Sequence, residues 1–501
     1  MSSLSIRFLE FVERNGNRLP HPTFLFIYLC GIVLLLSGLL SFAGVTAIHP
    51  ISGETLTIKN LLSQEGLHKI LANTVTNFTH FAPLGTVLVA VIGIGIAEQS
   101  GLLRTVLHLL VTKTPNWALS FTIVFVGILS SLAADTGYVV LIPLAAIIFL
   151  NAGRHPLAGI AAAFAGVSGG FSANLLISPL DELFAGLSTE AAQIISAGYH
   201  VSPAGNYWFM LSSVIVIAAA GMWVTEKLVI PRLGTFDFNM EEQVSQITNR
   251  EKIALRWVGV FTMVFITLLM LGLIPNNGIL RHPETGSILK SPFMSGIVTM
   301  IALYAAIAGI IFGKVSGTFE HKNKIVEAME NTMTTMSTYL VLMFFAAQFI
   351  NYFAWSEMGS ILAINGATFL EALNPHPAIL LILFVITTAF INLFIGSATA
   401  KWALLAPIFV PMFLLLGITP EATQIAYRIG DSVTNIVTPL MPYFGVVIAF
   451  AQKYVKETGV GTIMALMLPY SLIFLLIWTL MLLAWVLFDL PLGPGAAIFI
   501  N

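Results

Sequence analysis

Residues 428–444 read RIGDSVTNIVTPLMPYF: an arginine and an aspartate three positions apart, then hydroxyls and an amide, then two prolines. Long apolar runs flank this stretch. Non-helical backbone survives at membrane depth only where protein buries it or where it lines a wet cavity. The stretch therefore reads as a membrane helix interrupted on purpose. It also has a partner. SANLLISPL at 172–180 aligns with SVTNIVTPL at 432–440, with Ser, a hydroxyl before proline, Pro and Leu coinciding, and Gly170 matching Gly430. Upstream, YVVLIP at 138–143 parallels WALLAP at 402–407.

Composition sets the class. The 501 residues are 57% hydrophobic and only 9% charged, against about a quarter charged in soluble domains. Mean hydropathy is +0.91. Apolar runs recur end to end, and about 20 residues suffice to span a bilayer core. A β-barrel would instead show short alternating segments. The net charge of −2 suggests no nucleic-acid partner. Cys30 is the single cysteine, so no internal disulfide is expected. The reading is an all-α polytopic membrane protein. Complete spans are expected at 23–43, 82–98, 157–183, 206–229, 256–274, 293–313, 326–353, 420–450 and 463–488. The first is read as an uncleaved span rather than a signal peptide.

Two apolar regions, 117–150 and 376–414, are too long for one span and are broken near the middle by SSLAADTG (130–137) and IGSATAK (395–401). Each is read as a re-entrant helical hairpin. With the N-terminus cytoplasmic, sixteen of the 22 Lys and Arg fall inside, four outside, and Lys401 and Arg428 in the membrane. That bias satisfies the positive-inside rule and puts the C-terminus outside. The chain then divides into a cytoplasmic segment, 1–22, and a first half, 23–230, holding hairpin 117–150 and broken span 157–183. A linker, extra span and external loop follow at 231–292. The second half, 293–501, holds hairpin 376–414 and broken span 420–450. Five spans separate the hairpins, so the second copy is inverted. Inverted repeats with broken helices mark secondary transporters, with the site at the repeat interface.

The chemistry concentrates at the breaks, 168–179 and 430–439. Ser172, Asn174, Ser178, Thr434, Asn435 and Thr438 offer neutral oxygens of the kind hard cations take; helix-packing contacts are the plainer alternative for each singly. Ionisable residues in spans are costly and usually functional. Arg428 and Asp431 share a helix face, which allows a mutual salt bridge. It equally allows a split in which Asp431 takes a cation or proton and Arg428 forks onto a substrate carboxylate. Asp181, after Pro179, is a solvated terminus or a site residue. Asp135 sits at the first hairpin tip. Asn392 lies beside Ser397 and Thr399 in the second hairpin. Trp402 packs, or stacks on an aromatic ligand. Lys401 counters Asp431 or snorkels.

Enzyme readings fare worse. GVSG at 166–169 matches the GxSG of intramembrane serine proteases, an alternative of another class, but those need a histidine within reach of the Ser. The ten histidines fall in loops, at span ends or in the 99–116 surface stretch. Pairing Asp135 with Asp431 fails the GxGD pattern of aspartyl intramembrane proteases, because position 428 is Arg. No P-loop or HExxH appears, so no nucleotide site, metal or other cofactor is expected, and an ion gradient, H⁺ or Na⁺, must drive transport.

The chain resembles the p-aminobenzoyl-glutamate transporters, the AbgT family, within a wider ion-transporter group that includes dicarboxylate carriers. The likeness runs nearly end to end. It includes NGNRLPHPTFLFIYL (15–29), SANLLISPLDELFAGLSTEAA (172–192), GSATAKWALLAPIFVPMFLLLG (396–417) and RIGDS (428–432). The resemblance implies a bacterial inner-membrane homodimer of nine spans plus two hairpins per chain. It implies cation coupling at Asn392 and Asp431, to which Ser397 and Asn435 are added as neighbouring oxygens. It implies substrate contacts at Asp181, Trp402, Arg428 and Pro439, to which Asn174 and Thr399 are added; some members have Ser at position 399. Substrates in the family are p-aminobenzoyl-glutamate and, for some members, exported sulfonamides. A dicarboxylate or citrate carrier of the same architecture is the alternative.

Overall fold

The computed structural model describes residues 22–48, 54–112, 114–130, 137–234, 236, 247–275, 277–288, 291–373, 375–438, 441 and 443–500. The expected cytoplasmic segment up to residue 21, the first hairpin tip with Asp135, and Pro439 lie outside them. The described fold is helical apart from a short antiparallel pair, β1 (Thr46–Ile48) and β2 (Thr55–Thr57).

In chain order the first half runs α1 (Pro22–Phe42), α2 (Gln64–Thr79), α3 (Ala82–Gln99), α4 (Leu102–Thr112), α5 (Leu119–Leu129), α6 (Ile142–Asn151, led in by a π turn from Gly137), α7 (Pro156–Phe164, extended by a π turn to Gly169), α8 (Pro179–Ala192) and α9 (Tyr207–Val224, continuing to Leu233). Then come α10 (Asn249–Leu273), α11 (Ile297–Ser316), α12 (Asn323–Thr335), α13 (Ser337–Trp355), α14 (Met358–Leu373), α15 (Pro377–Asn392), α16 (Ala398–Leu415), α17 (Pro420–Thr434), α18 (Phe444–Gln452) and α19 (Val460–Phe488).

Six described helices are long and apolar enough to cross a membrane alone, and two bent pairs, α3–α4 (62°) and α12–α13 (45°), bring the number to eight. The expected spans at 157–183 and 420–450 are absent from that group because each is in fact two short helices. Three elements differ from expectation. The 99–116 stretch is mostly helix α4, hinged to α3 at Gly101, whose φ of +86° ends the first helix. Helix α2 is too polar for an apolar-run search, and α14, at 16 residues, is too short for one.

The two hairpins do the same job. Helix α7 packs against both arms of the first, α5 and α6, and α17 packs against both arms of the second, α15 and α16. The matched glycines explain the seating. A Cβ on Gly170 would meet Ile128 Cγ1 of α5 at 2.5 Å, and one on Gly430 would overlap Thr388 Oγ1 and the Val385 carbonyl of α15. Each glycine thus lets its broken span press on the first arm of its own hairpin. We expect Gly430→Ala to cost about 3 kcal/mol through overpacking against backbone. The control Gly445→Ala, with nothing within 4 Å of the added methyl, should stay near neutral; unfolding midpoints in detergent check both.

The breaks are not at equal register. In the first copy helix ends at Gly169 and residues 170–178 are irregular. In the second, helix persists through Thr434, so Gly430 to Thr434, expected in the gap, are helical. Adjacent Gly169 and Gly170 have poor helix propensity and release the first copy earlier. Pro at the first helical position restarts the chain in α8 and also begins α17, under Ser178 and Thr419 caps respectively.

Candidate functional site

Where the two broken helices meet, Ser172 and Ser432, the aligned serines of the repeat, are in contact: the Ser172 N–H donates to Ser432 Oγ at 3.2 Å. Helix α17 runs through this junction with Arg428 and Asp431 fully buried. They do not pair with each other. Arg428 Nη1 reaches Asp181 Oδ1 of α8 at 2.6 Å, and Nη2 donates to the Ser172 carbonyl at 2.8 Å. Asp431 Oδ1 takes Lys401 Nζ of α16 at 2.5 Å. The mutual salt bridge is therefore replaced by two pairs that tie α17 to the other broken helix and to the second hairpin.

Each pair sits in its own polar cage. Asp181 Oδ2 accepts from the Ser178 N–H and Oγ, both at 2.7 Å, and from Asn174 Nδ2. These bonds close the capping box of α8, whose amino-terminal dipole also favours the carboxylate. Asp181 is only 4% exposed, so it is no solvated terminus. Around Asp431 the hub is Asn392. Its Oδ1 accepts from Lys401, and its Nδ2 lies 2.6 Å from the Asp431 carbonyl, 2.8 Å from Thr434 Oγ1 and 2.9 Å from Asn435 Oδ1. Asn435 Nδ2 reaches back to the Ser168 carbonyl of the first copy at 3.4 Å. Lys401, 1% exposed, does not snorkel. Four buried charges of balanced sign are thus shared out. Among the described residues, Arg428 Nε, Asp431 Oδ2 and Ser172 Oγ are buried atoms without a hydrogen-bond partner.

Trp402 takes the packing alternative in this structure. It is fully buried, donates from Nε1 to Ser188 Oγ at 3.1 Å, and packs on Tyr427 with centroids 4.6 Å apart. In this structure the ring is core, and no face is open to a ligand. Ser397 caps α16, accepting from the Ala400 N–H, and Thr399 lies half-buried in the same first turn. The structure therefore gathers Asn174, Asp181, Asn392, Arg428, Asp431 and Asn435 at one junction. Ser397 and Thr399 stand at its edge.

Three further residues belong to the junction. Tyr427 donates its hydroxyl to the Ala398 carbonyl at 2.5 Å and lies 3.3 Å from Asp431 Oδ1. Ser188 links Trp402 to Gln424 Oε1 at 3.2 Å. Tyr427 is four residues before Asp431, the spacing at which helical side chains meet; that signal was in the sequence. Ser188 and Gln424 carry no signal beyond being polar among apolar neighbours.

Ser168 of GVSG is buried and receives the Tyr138 hydroxyl at 3.2 Å, with Tyr138 itself stacked on Tyr443. Gly166 presses on Gly127 of α5, so the glycines of this motif serve close packing.

Comparison with known proteins agrees with this architecture. The chain is 41% identical over 496 residues to the p-aminobenzoyl-glutamate transport protein of Escherichia coli K12, covering 99% of this chain and 97% of that one. Its structure superposes on the YdaH transporter of Alcanivorax borkumensis with a TM-score of 0.92 at 52% identity, over 95% of this chain and all of that one. It superposes on MtrF of Neisseria gonorrhoeae, described as illuminating a class of antimetabolite efflux pumps, with a TM-score of 0.91 at 47% identity, over 98% of this chain and all of that one. The family model for AbgT transporters matches residues 7–500. The chain belongs to the AbgT transporter family.

Proposed function

We propose that the chain is a cation-coupled secondary transporter of p-aminobenzoyl-glutamate-type anions, and that sulfonamides are among its exported cargoes. The observation that carries the reading is the pair of ion pairs on α17. Arg428 and Asp431 are one turn apart, yet each holds a different element: Arg428 holds α8, Asp431 holds α16. A substrate carboxylate can take Asp181's place on the Arg428 fork. Asp181 then keeps its three other donors, so its charge is not stranded. A proton or Na⁺ arriving at Asp431, whose Oδ2 has no partner, competes with Lys401 and loosens the second hairpin. Both exchanges act on one rigid helix, which supports obligatory coupling around a site at the repeat interface.

The charge bias supports an N-terminus in the cytoplasm and a C-terminus outside, and membership of the family supports placement in the bacterial inner membrane as a homodimer. A carrier of dicarboxylates that lack an aryl group fits less well, since the groups flanking Arg428 are aromatic. Labelled p-aminobenzoyl-glutamate flux in liposomes under imposed H⁺ or Na⁺ gradients tests the reading, and flux indifferent to both would remove it. Ser168→Ala should leave that flux within about twofold of wild type, since losing one neutral hydrogen bond costs only about 1 kcal/mol. Unchanged flux in that variant eliminates the intramembrane hydrolase reading.

A further inference from the structure

Two cavities flank the Ser178 cap of α8, outside the buried junction. The first, about 1000 Å³, is walled by the end of α2, the start of α3, α8, and the loops before α9 and α11. Its lining carries three imidazoles, His80, His200 and His282, and Glu182, the residue after Asp181. The second, about 510 Å³, is almost wholly apolar. It is lined by Ile177, the residue before Ser178, and by rings that include Tyr207, Phe265, Phe293 and Tyr304. Met294 and Ile297 line both, so the two chambers adjoin through a shared wall.

The first chamber sets imidazole donors for an anion beside the Glu182 carboxylate. His282 Nδ1 accepts from the Glu284 and Thr285 N–H groups, which leaves the ring's proton on Nε2 as a donor. Next to it, Arg281 spends its guanidinium on the carbonyls of Leu273, Gly286 and Ile274. Those neutral partners leave its full charge beside the histidine loop. The second chamber offers ring faces and no charge among the residues that line it.

Resting on the transport reading above, we propose that these adjoining chambers are a staging subsite for an aroyl amino acid. The carboxylates sit among His80, His200 and His282, and the aryl ring sits in the chamber of Phe293 and Tyr304. The ligand is thus held in a fixed orientation one residue away from the Asp181 cage before it reaches Arg428. A neutral aryl amide shares only the aromatic chamber.

The test is equilibrium binding to the purified full-length protein, with p-aminobenzoyl-glutamate and neutral p-aminobenzamide as the two probes. The triple variant His80→Gln/His200→Gln/His282→Gln should weaken p-aminobenzoyl-glutamate by ~10-fold, the loss of ~1.4 kcal/mol, and leave p-aminobenzamide within about twofold, since it makes no carboxylate contact. Phe293→Ala should weaken both probes together. Equal weakening of both probes by the histidine variant, or none for p-aminobenzoyl-glutamate, overturns the subsite. Because the readout is binding, the result stands apart from whether flux follows an ion gradient, which the liposome assay decides on its own.

Discussion

Arg428→Met should abolish transport and lower stability by about 3–5 kcal/mol, the cost of leaving one partner of a buried pair uncompensated. The loss should fall toward the lower end of that range, because Asp181 retains the Ser178 N–H, Ser178 Oγ and Asn174 as donors. The double variant Asp181→Asn/Arg428→Met should recover much of the stability, since neither charge is then stranded. It should not recover transport, because the fork that receives the carboxylate is gone. Unfolding midpoints alongside flux separate the two effects. Full transport in the double variant would show that the pair is structural only.

Asp431→Asn is the second large effect. It strands Lys401 in a fully enclosed site, with Asn392 Oδ1 as its remaining acceptor. A stability loss of about 3–5 kcal/mol is again expected. Lys401→Met/Asp431→Asn should regain stability while remaining uncoupled. Asn392 and Asn435 alone, being neutral, cannot replace the carboxylate that distinguishes a bound cation from an empty site.

Much of this junction is legible in the sequence. Pro179 and Pro420 mark where helices start, Gly169 and Gly170 mark where one stops, and ionisable residues in apolar runs mark themselves by their cost. Partner choice is legible only for Asp431, where Lys401 is one of two readings; Asp181 as the partner of Arg428 is not. Spacing of three along a helix made Arg428 and Asp431 neighbours, but long-range packing brought Asp181 and Lys401 closer. No local rule reads a contact across 247 residues. Trp402 stays open between packing and stacking for a related reason. A tryptophan beside a lysine looks like a ligand platform until Phe184 and Tyr427 are seen to close around it. The register of the second break was likewise hidden. Matched letters align the copies, but the twin glycines 169 and 170 unwind the first one earlier.

The coupling claim rests most directly on one comparison: p-aminobenzoyl-glutamate flux in liposomes under imposed H⁺ or Na⁺ gradients, for wild type and Asp431→Asn. The account predicts wild-type flux that rises with one of the two gradients and an Asp431→Asn flux that responds to neither. Gradient-driven flux in Asp431→Asn at the wild-type level would contradict it.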